Sequence, residues 1–525
     1  GDSGTPAAAA PPPAPAPAAL NVSGTAATGA PMAGAAIRLK CAAGNAAATA
    51  NANGAYTVSI VGGSLPCVLT ARSSDGAFEL HSVAAGTGGA TTTANITPLS
   101  ELLVARLAGG SPAAYVDSFV AGGTIATADV AAAQTALLQT LTASGVDTSA
   151  VGDIVSGALT AGSHTGYDGV LDQLQATIAA AGSTLSEVTT VVANTGAAGS
   201  KTSAGTLSTV LARASSDCSG LKTGALRVLD FTDGSNGVAQ VDAKAMTATL
   251  GGTKYTLSRN ASCDYTLNDT AATRVLVAPS GIAVMLQGTG ATGVAAVAIP
   301  EQVLDVSALA GTYDRVQYSP TFDTQIGDFG TTVFAASGQN GLSVNCPKGY
   351  GQCVEDTQSK GALVANAAGG FDYMEGGVSQ NRVYAFRNAA GRTILLAQDA
   401  GGGVTVLAQQ VTLPLPAVGS STPFWQFTVS ASGVSAVTTE TNTVTAVDTA
   451  AATVTRQFAS DKHFDTLAFN APFPGTRYRA TNGCTSSTGG AFSCNGVIHL
   501  PLGGLVLAVS SVPTRHFVSV SINQP

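Results

Sequence analysis

Apolar positions in this chain recur with two different periods, and the changes of period divide it. Over 20–97, short apolar runs at 36–41, 55–60 and 67–71 alternate one residue in, one residue out. Period two is what a half-buried strand requires, because successive side chains leave opposite faces. Asn51-Ala52-Asn53-Gly54 supplies a turn before the second run, with Gly54 free to take a positive φ. Over 98–213 the period lengthens. Leu102, Leu103, Ala105 and Leu107 fit a short helix with Thr97 as N-cap, Pro98 in first position and Glu101 in the first turn. Thr127-Ala128-Asp129 opens a longer helix that carries Val130, Ala133, Leu137, Leu138 and Leu141 and ends at Gly145. Val170, Leu171, Leu174 and Ile178 share one face over 168–181, and 185–192 gives a last helix. The pattern predicts a bundle of four to six short helices, then a linker at 194–210 that is rich in Gly, Ser, Thr and Ala.

From 214 onward strand patterning returns. Runs at 225–229, 274–277, 282–286, 383–386, 393–396, 404–407 and 517–522 are separated by Gly- and Asn-containing turns. Such spacing predicts meanders that close into sandwiches or barrels. Trp425, the only tryptophan, shares a strand face with Phe427 and Val429 and reads as core. The expected architecture is multidomain and mainly β. It has a Pro/Ala-rich tether over 1–19, a β-sandwich over 20–97 and a small α-helical bundle plus linker over 98–213. A β domain over 214–301 and an antiparallel barrel or sandwich over 302–525 complete it.

Composition narrows the partners. Apolar residues make up 45% of the 525, so real cores can form. Charged residues make up 10%, against roughly 25% in ordinary soluble domains. Net charge is −8, and the 23 Lys and Arg residues form no run. A phosphate-tracking surface needs clustered cations, so nucleic acid and anionic membrane are poor partners. No stretch of about 18 apolar residues offers a spanning helix.

The eight cysteines fall in sequential pairs, each inside one expected segment: Cys41 and Cys67, Cys218 and Cys263, Cys346 and Cys353, Cys484 and Cys494. None has C-x-x-C spacing or a neighbouring histidine that would suggest zinc. The simplest reading is four local disulfides and an oxidising compartment, although spacing alone does not fix connectivity. Gly1-Asp2-Ser3-Gly4 followed by the Ala/Pro tract is similar to the start of a mature lipoprotein. That resemblance implies that Gly1 follows a removed or lipidated segment and that the tract is an extended tether. The expected location is extracytoplasmic, on an outer-membrane surface or secreted, with membrane contact only through such an N-terminal anchor.

Two family resemblances add to this. The order Gly29 to Ala35 (G-x-P-x-x-G-A), a strand with Cys41, then Asn51 to Tyr56 (N-x-N-G-A-Y) resembles the carboxypeptidase regulatory-like, transthyretin-like β-sandwich. It implies a structural or adhesive spacer over about 80 residues. Gly311-Thr312-Tyr313 resembles the G-x-W start of lipocalin-type barrels, in which an arginine of the last strand covers the ring; here Tyr313 would be that ring and Arg515 that arginine. The whole arrangement is similar to exported proteobacterial surface lipoproteins.

Candidate chemistry is sparse. No G-x-S-x-G occurs, and none of the five histidines sits in a motif that marks a nucleophile, so no catalytic residue and no cofactor are expected. Asp461, His463 and Asp465 would share one side of a strand and could bind a divalent ion; a solvated face opposite a buried Phe464 is the favoured reading. Residues 230–237 are oxygen-rich like a calcium loop but lack the distal glutamate, and read first as a hairpin turn at Asp233-Gly234. The leading expectation is a non-enzymatic binding or attachment protein for a surface polymer, a protein or a small apolar ligand, with its functional end after about residue 302. An extracellular hydrolase or lyase, or a self-associating fibre or surface-layer subunit, are the alternatives.

Overall fold

The computed structural model describes residues 1, 4, 8–89, 91–194, 201–358, 360–399 and 401–525, with 201–203 as backbone. The protein is mainly β. Its residues fall into two compact units, Gly1–Gln139 with Val146–Gln175, and Thr140–Gly145 with Ala176–Pro525.

In the first unit, residues 8–18 carry no regular element, and the sandwich begins at Ala19. One sheet runs Ala55–Val61, Ala19–Thr25, Thr91–Thr93; the other runs Asn45–Thr49, Ala36–Ala43, Ser64–Arg72, Glu79–Gly88. Strict alternation explains the layering: Tyr56, Val58 and Ile60 are buried, while the residues between them face solvent. The helix Pro98–Ala108 starts at Thr97, whose Oγ1 accepts from the Ser100 amide at 3.2 Å; the Ser100 hydroxyl accepts from the Thr97 amide at 2.8 Å. Two otherwise orphaned donors are thereby satisfied, as a capping box requires.

The second unit holds two closed barrels. The first runs through eight strands from Gly224–Asp230 to Val294–Pro300, and pairs from Leu226↔Pro300 to Asp230↔Ala296 close the ring. Its inward side chains are apolar, among them Val241, Ala248, Leu257, Leu267 and Val275, while Gln240 and Lys254 face out. A nine-stranded sheet, Gly311–Tyr318 to Val404–Gln409, follows. Both faces of its central strands are buried. Ile394 and Leu396 enter a core shared with the two barrels, whereas Leu395 and Ala397 join Tyr313, Phe334 and Phe371 on the other side. This is why those strands read as unbroken apolar runs.

The second barrel uses Ser421–Ser430, Thr438–Asp448, Thr453–Phe458, Phe464–Phe469, Arg477–Arg479, Val497–Pro501, Leu505–Ser510 and Phe517–Asn523. Each strand pairs with the next, Thr453–Phe458 also pairs with Phe464–Phe469, and the last pairs with the first, so the sheet is a ring. Trp425, Phe427 and Val429, with Val518, Val520 and Ile522 opposite them, lie on its outer face, buried in the shared core.

The structure corrects the linker at 194–210. Residues 195–200 lie outside the described residues, but Lys201–Leu211 is a helix with Leu207, Val210 and Leu211 buried. Small residues lower its apparent amphipathicity, yet they allow close packing: a Cβ on Gly205 would stand 2.6 Å from the Val303 carbonyl oxygen. The short helix Pro112–Ser118 was also not expected; Ser111 caps it and Pro112 opens it.

The eight cysteines form four disulfides in sequential order, Cys41–Cys67, Cys218–Cys263, Cys346–Cys353 and Cys484–Cys494, and none is free. Alkylation of the natively purified chain in denaturant without reductant should therefore label no cysteine, as mass spectrometry would report. Two or more labelled sites would contradict the pairing.

Candidate functional site

A largely apolar hollow of the second unit is a cleft of about 840 Å³ walled by the helices Leu185–Ala193 and Lys201–Leu211, the start of the first barrel and the loop after Phe386. That volume suits one small organic ligand. Leu221, Leu226, Val277 and Phe386 give its floor, and Val303 stands 65% exposed within it. Close backbone approaches shape the walls. Gly205 lies against Val303, and a Cβ on Gly220 would meet the Ala278 carbonyl oxygen at 2.2 Å, so neither position accepts a side chain without movement.

Polar side chains also line the cleft, Glu187, Lys222, Gln302 and Arg387 among them. Thr184 caps Leu185–Ala193 by accepting from the Glu187 amide at 3.2 Å, which puts Glu187 in the positive first turn. Lys222 donates from Nζ to the Val210 carbonyl at 2.7 Å, so its cation sits on the last, negative turn of Lys201–Leu211. Burial pushes the Lys222 ammonium down to about 8, and the Glu187 carboxylate partly offsets this. Gln302 and the Arg387 backbone exchange two hydrogen bonds, 2.9 Å and 2.8 Å, and fix the far wall. Most of the lining comes from residues 182–303, ahead of the region where sequence reasoning placed the functional end.

The second barrel has a different interior. Its inward positions follow from register: Arg456 opposite Asp465, Phe469 opposite Arg477, and Arg477 opposite His499. Asp465 is buried and accepts from Arg456 Nε at 3.0 Å and Nη2 at 2.7 Å, and from Arg479 Nη1 at 3.1 Å. Burial alone would raise the Asp465 carboxyl; the two guanidiniums outweigh it and hold it below the usual range. His499 is held well below its ordinary value by burial and by Arg477, Arg456 and Arg479, so it is neutral at pH 7.

The structure therefore separates the three residues expected as a metal set. Asp461 pairs with the His463 ring, which is stacked between Phe458 and Phe492, while Asp465 belongs to the arginine cluster. The strand begins at Phe464, one residue after His463, so the pleat that would align the three is not maintained. Residues 230–237 form a hairpin turn whose carboxylates are used within it: Asp230 Oδ1 accepts from Thr232 at 2.7 Å and Asp233 Oδ1 from Ser235 at 2.7 Å. Tyr313 is fully buried, donates to the Leu309 carbonyl at 2.9 Å and meets Phe334 edge-on; Arg515 is exposed on Asn495 and does not cover that ring. One cluster escaped sequence reasoning in the first unit: His164, Asp168 and Asp172, with His164 Nδ1 2.7 Å from Asp172 Oδ2. Arg456, Arg477, Arg479 and His499 were missed as well. The signal was present in Arg477-Tyr478-Arg479, where period two puts both cations on one face.

Fold and site together define a disulfide-bonded, mainly β protein with two closed barrels and an apolar cleft. No family model matches the chain, and no curated protein matches it. Among solved structures it is similar to transferrin binding protein B from serogroup B Neisseria meningitidis, at 9% identity and a TM-score of 0.19, covering 60% of this chain and 68% of that one. Two mutants of transferrin binding protein B from Haemophilus parasuis match at 7% and 8% identity, each with a TM-score of 0.18, covering 55% of this chain and 65% of theirs. Likeness at this level assigns no function.

Proposed function

We propose that the chain is an extracytoplasmic binding protein that takes a small apolar molecule, with an acceptor group turned to Lys222, in the cleft between Lys201–Leu211 and the first barrel. The cleft itself carries this reading: mostly apolar walls, an exposed valine and the partly desolvated Lys222 are what orient a mostly apolar ligand. The four disulfides support an oxidising compartment. The proposed setting is a cell surface or the extracellular medium.

The test is a fluorescence titration of the full chain with the neutral probe N-phenyl-1-naphthylamine. Ser208 lines the cleft on an incompletely buried helix position, so Ser208→Phe fills the site without opening a core. Binding to the unmodified chain should change less than about twofold between roughly 50 and 500 mM salt, because screening leaves apolar burial intact. Ser208→Phe should weaken it roughly tenfold, as a lost apolar contact of about 1.4 kcal/mol would do. Equal binding by both chains, or collapse with salt, would overturn the reading.

A further inference from the structure

The second barrel encloses more positive than negative charge. Three guanidiniums, Arg456, Arg477 and Arg479, share its interior with one buried carboxylate, Asp465. That carboxylate is already committed. Arg456 holds it at both oxygens, and Arg479 takes a third bond to it while sending Nε and Nη2 to the Asn495 carbonyl at 3.2 and 3.0 Å.

Arg477 is not served in this way. Its Nε has no acceptor among the described residues, and its guanidinium lies over the Phe469 ring, 5.5 Å from the centroid. His499, its register partner, carries an Nδ1 that is likewise unpartnered. Strands enclose both residues, register sets them side by side on the inward face, and the two unpartnered nitrogens are themselves shut off from bulk solvent. A cation removed from bulk water without an anion or acceptor is costly, so proteins leave such a group where a ligand supplies the acceptor. The interior of an eight-stranded barrel is filled by side chains or holds one small ligand. A guanidinium fork matches the paired oxygens of a carboxylate, sulfate or phosphate.

We infer that the interior of the second barrel binds one small oxyanion, gripped by the Arg477 guanidinium and by a hydrogen bond from His499 Nδ1. Arg456 and Arg479 make the enclosure positive, and Asp465 keeps those two guanidiniums in place. This site is separate from the apolar cleft and takes ligands of the opposite chemistry.

Calorimetric titration of the full chain with sodium sulfate, inorganic phosphate or acetate tests it, with chloride holding ionic strength constant. The three arms tell tetrahedral from carboxylate ligands. One of them should bind saturably with a stoichiometry of one. Arg477→Met, which keeps an unbranched apolar stem and removes the fork, should weaken that binding roughly 10- to 100-fold, the loss expected for hydrogen bonds to a charged group. Ser208→Phe, in the cleft, should leave it unchanged. The imidazole nitrogen resonances of His499 in the unmodified chain should move as the anion is added, which keeps the test valid if Arg477→Met does not fold. No saturable binding of any of the three anions, equal binding by Arg477→Met, or a static His499 resonance would each overturn the inference.

Discussion

Asp465→Ala should lower the stability of the second barrel by about 3–5 kcal/mol, the usual cost of stripping the partner from buried ions. The side chain of Asp465 has no exposed surface, and three donors from Arg456 and Arg479 converge on it. Its removal leaves Arg456, Arg477 and Arg479 in one enclosure with no carboxylate among them. The urea midpoint of the transition that unfolds this barrel should fall steeply. Asp461→Asn, at a half-exposed group whose partner is His463, should leave that midpoint almost where it was. Sulfate should restore part of the loss in Asp465→Ala, because an anion would stand in for the missing charge. A shift of less than about 1 kcal/mol would mean that the guanidiniums are hydrated rather than enclosed.

The second large effect is a dependence on pH set by Asp314. This carboxyl is fully buried in Gly311–Tyr318; Oδ1 accepts from Gln410 Nε2 at 2.9 Å, and Oδ2 has no donor among the described residues. Burial pushes it up to about 7, which the Gln410 bond and Arg392 only partly oppose. Asp399, held by Thr405, is pushed up to about 6 by the same cause. A raised acid binds more protons folded than unfolded, so its share of stability is complete below about pH 4 and is lost as pH rises through 7. Asp314→Asn should remove most of that slope. At pH 8 the variant should be more stable than the parent by about 2–4 kcal/mol, which is roughly 5 °C in melting temperature. Only at about pH 3, below both the folded and the unfolded pKa, should the two melt together. Equal melting at pH 8 would contradict the burial of an ionised Asp314.

Local pattern revealed more of this protein than closure did. The runs at 36–41, 393–396 and 404–407 lie in strands because apolar residues either alternate there or fill both faces of a buried sheet. Thr97-Pro98 opens a helix because capping is a matter of a few adjacent residues. The ring closures are different. Leu226↔Pro300 joins positions 74 apart, and no periodicity within either strand encodes the pairing. Lys201–Leu211 looks like a linker in sequence because its packing depends on Gly205, a residue that composition counts as flexible. The charged barrel interior escaped for a further reason. Polar residues in a strand are ordinarily assigned to solvent, but here the apolar outer face of Ser421–Ser430 meets the shared core, so the polar residues of the ring point inward. The cleft was legible only as chemistry: a chain with so few charges predicts an apolar, salt-insensitive site, but its walls come from segments distant in sequence.

The most direct test of the central claim is a crystal structure of the full chain soaked with a brominated apolar ligand such as 1-bromonaphthalene, with data collected at the bromine absorption edge. One strong anomalous peak should stand beside Val303, Leu226 and Ser208, within reach of Lys222, and none there in Ser208→Phe. A peak confined to other surfaces, or an empty cleft at saturating ligand, would contradict that claim.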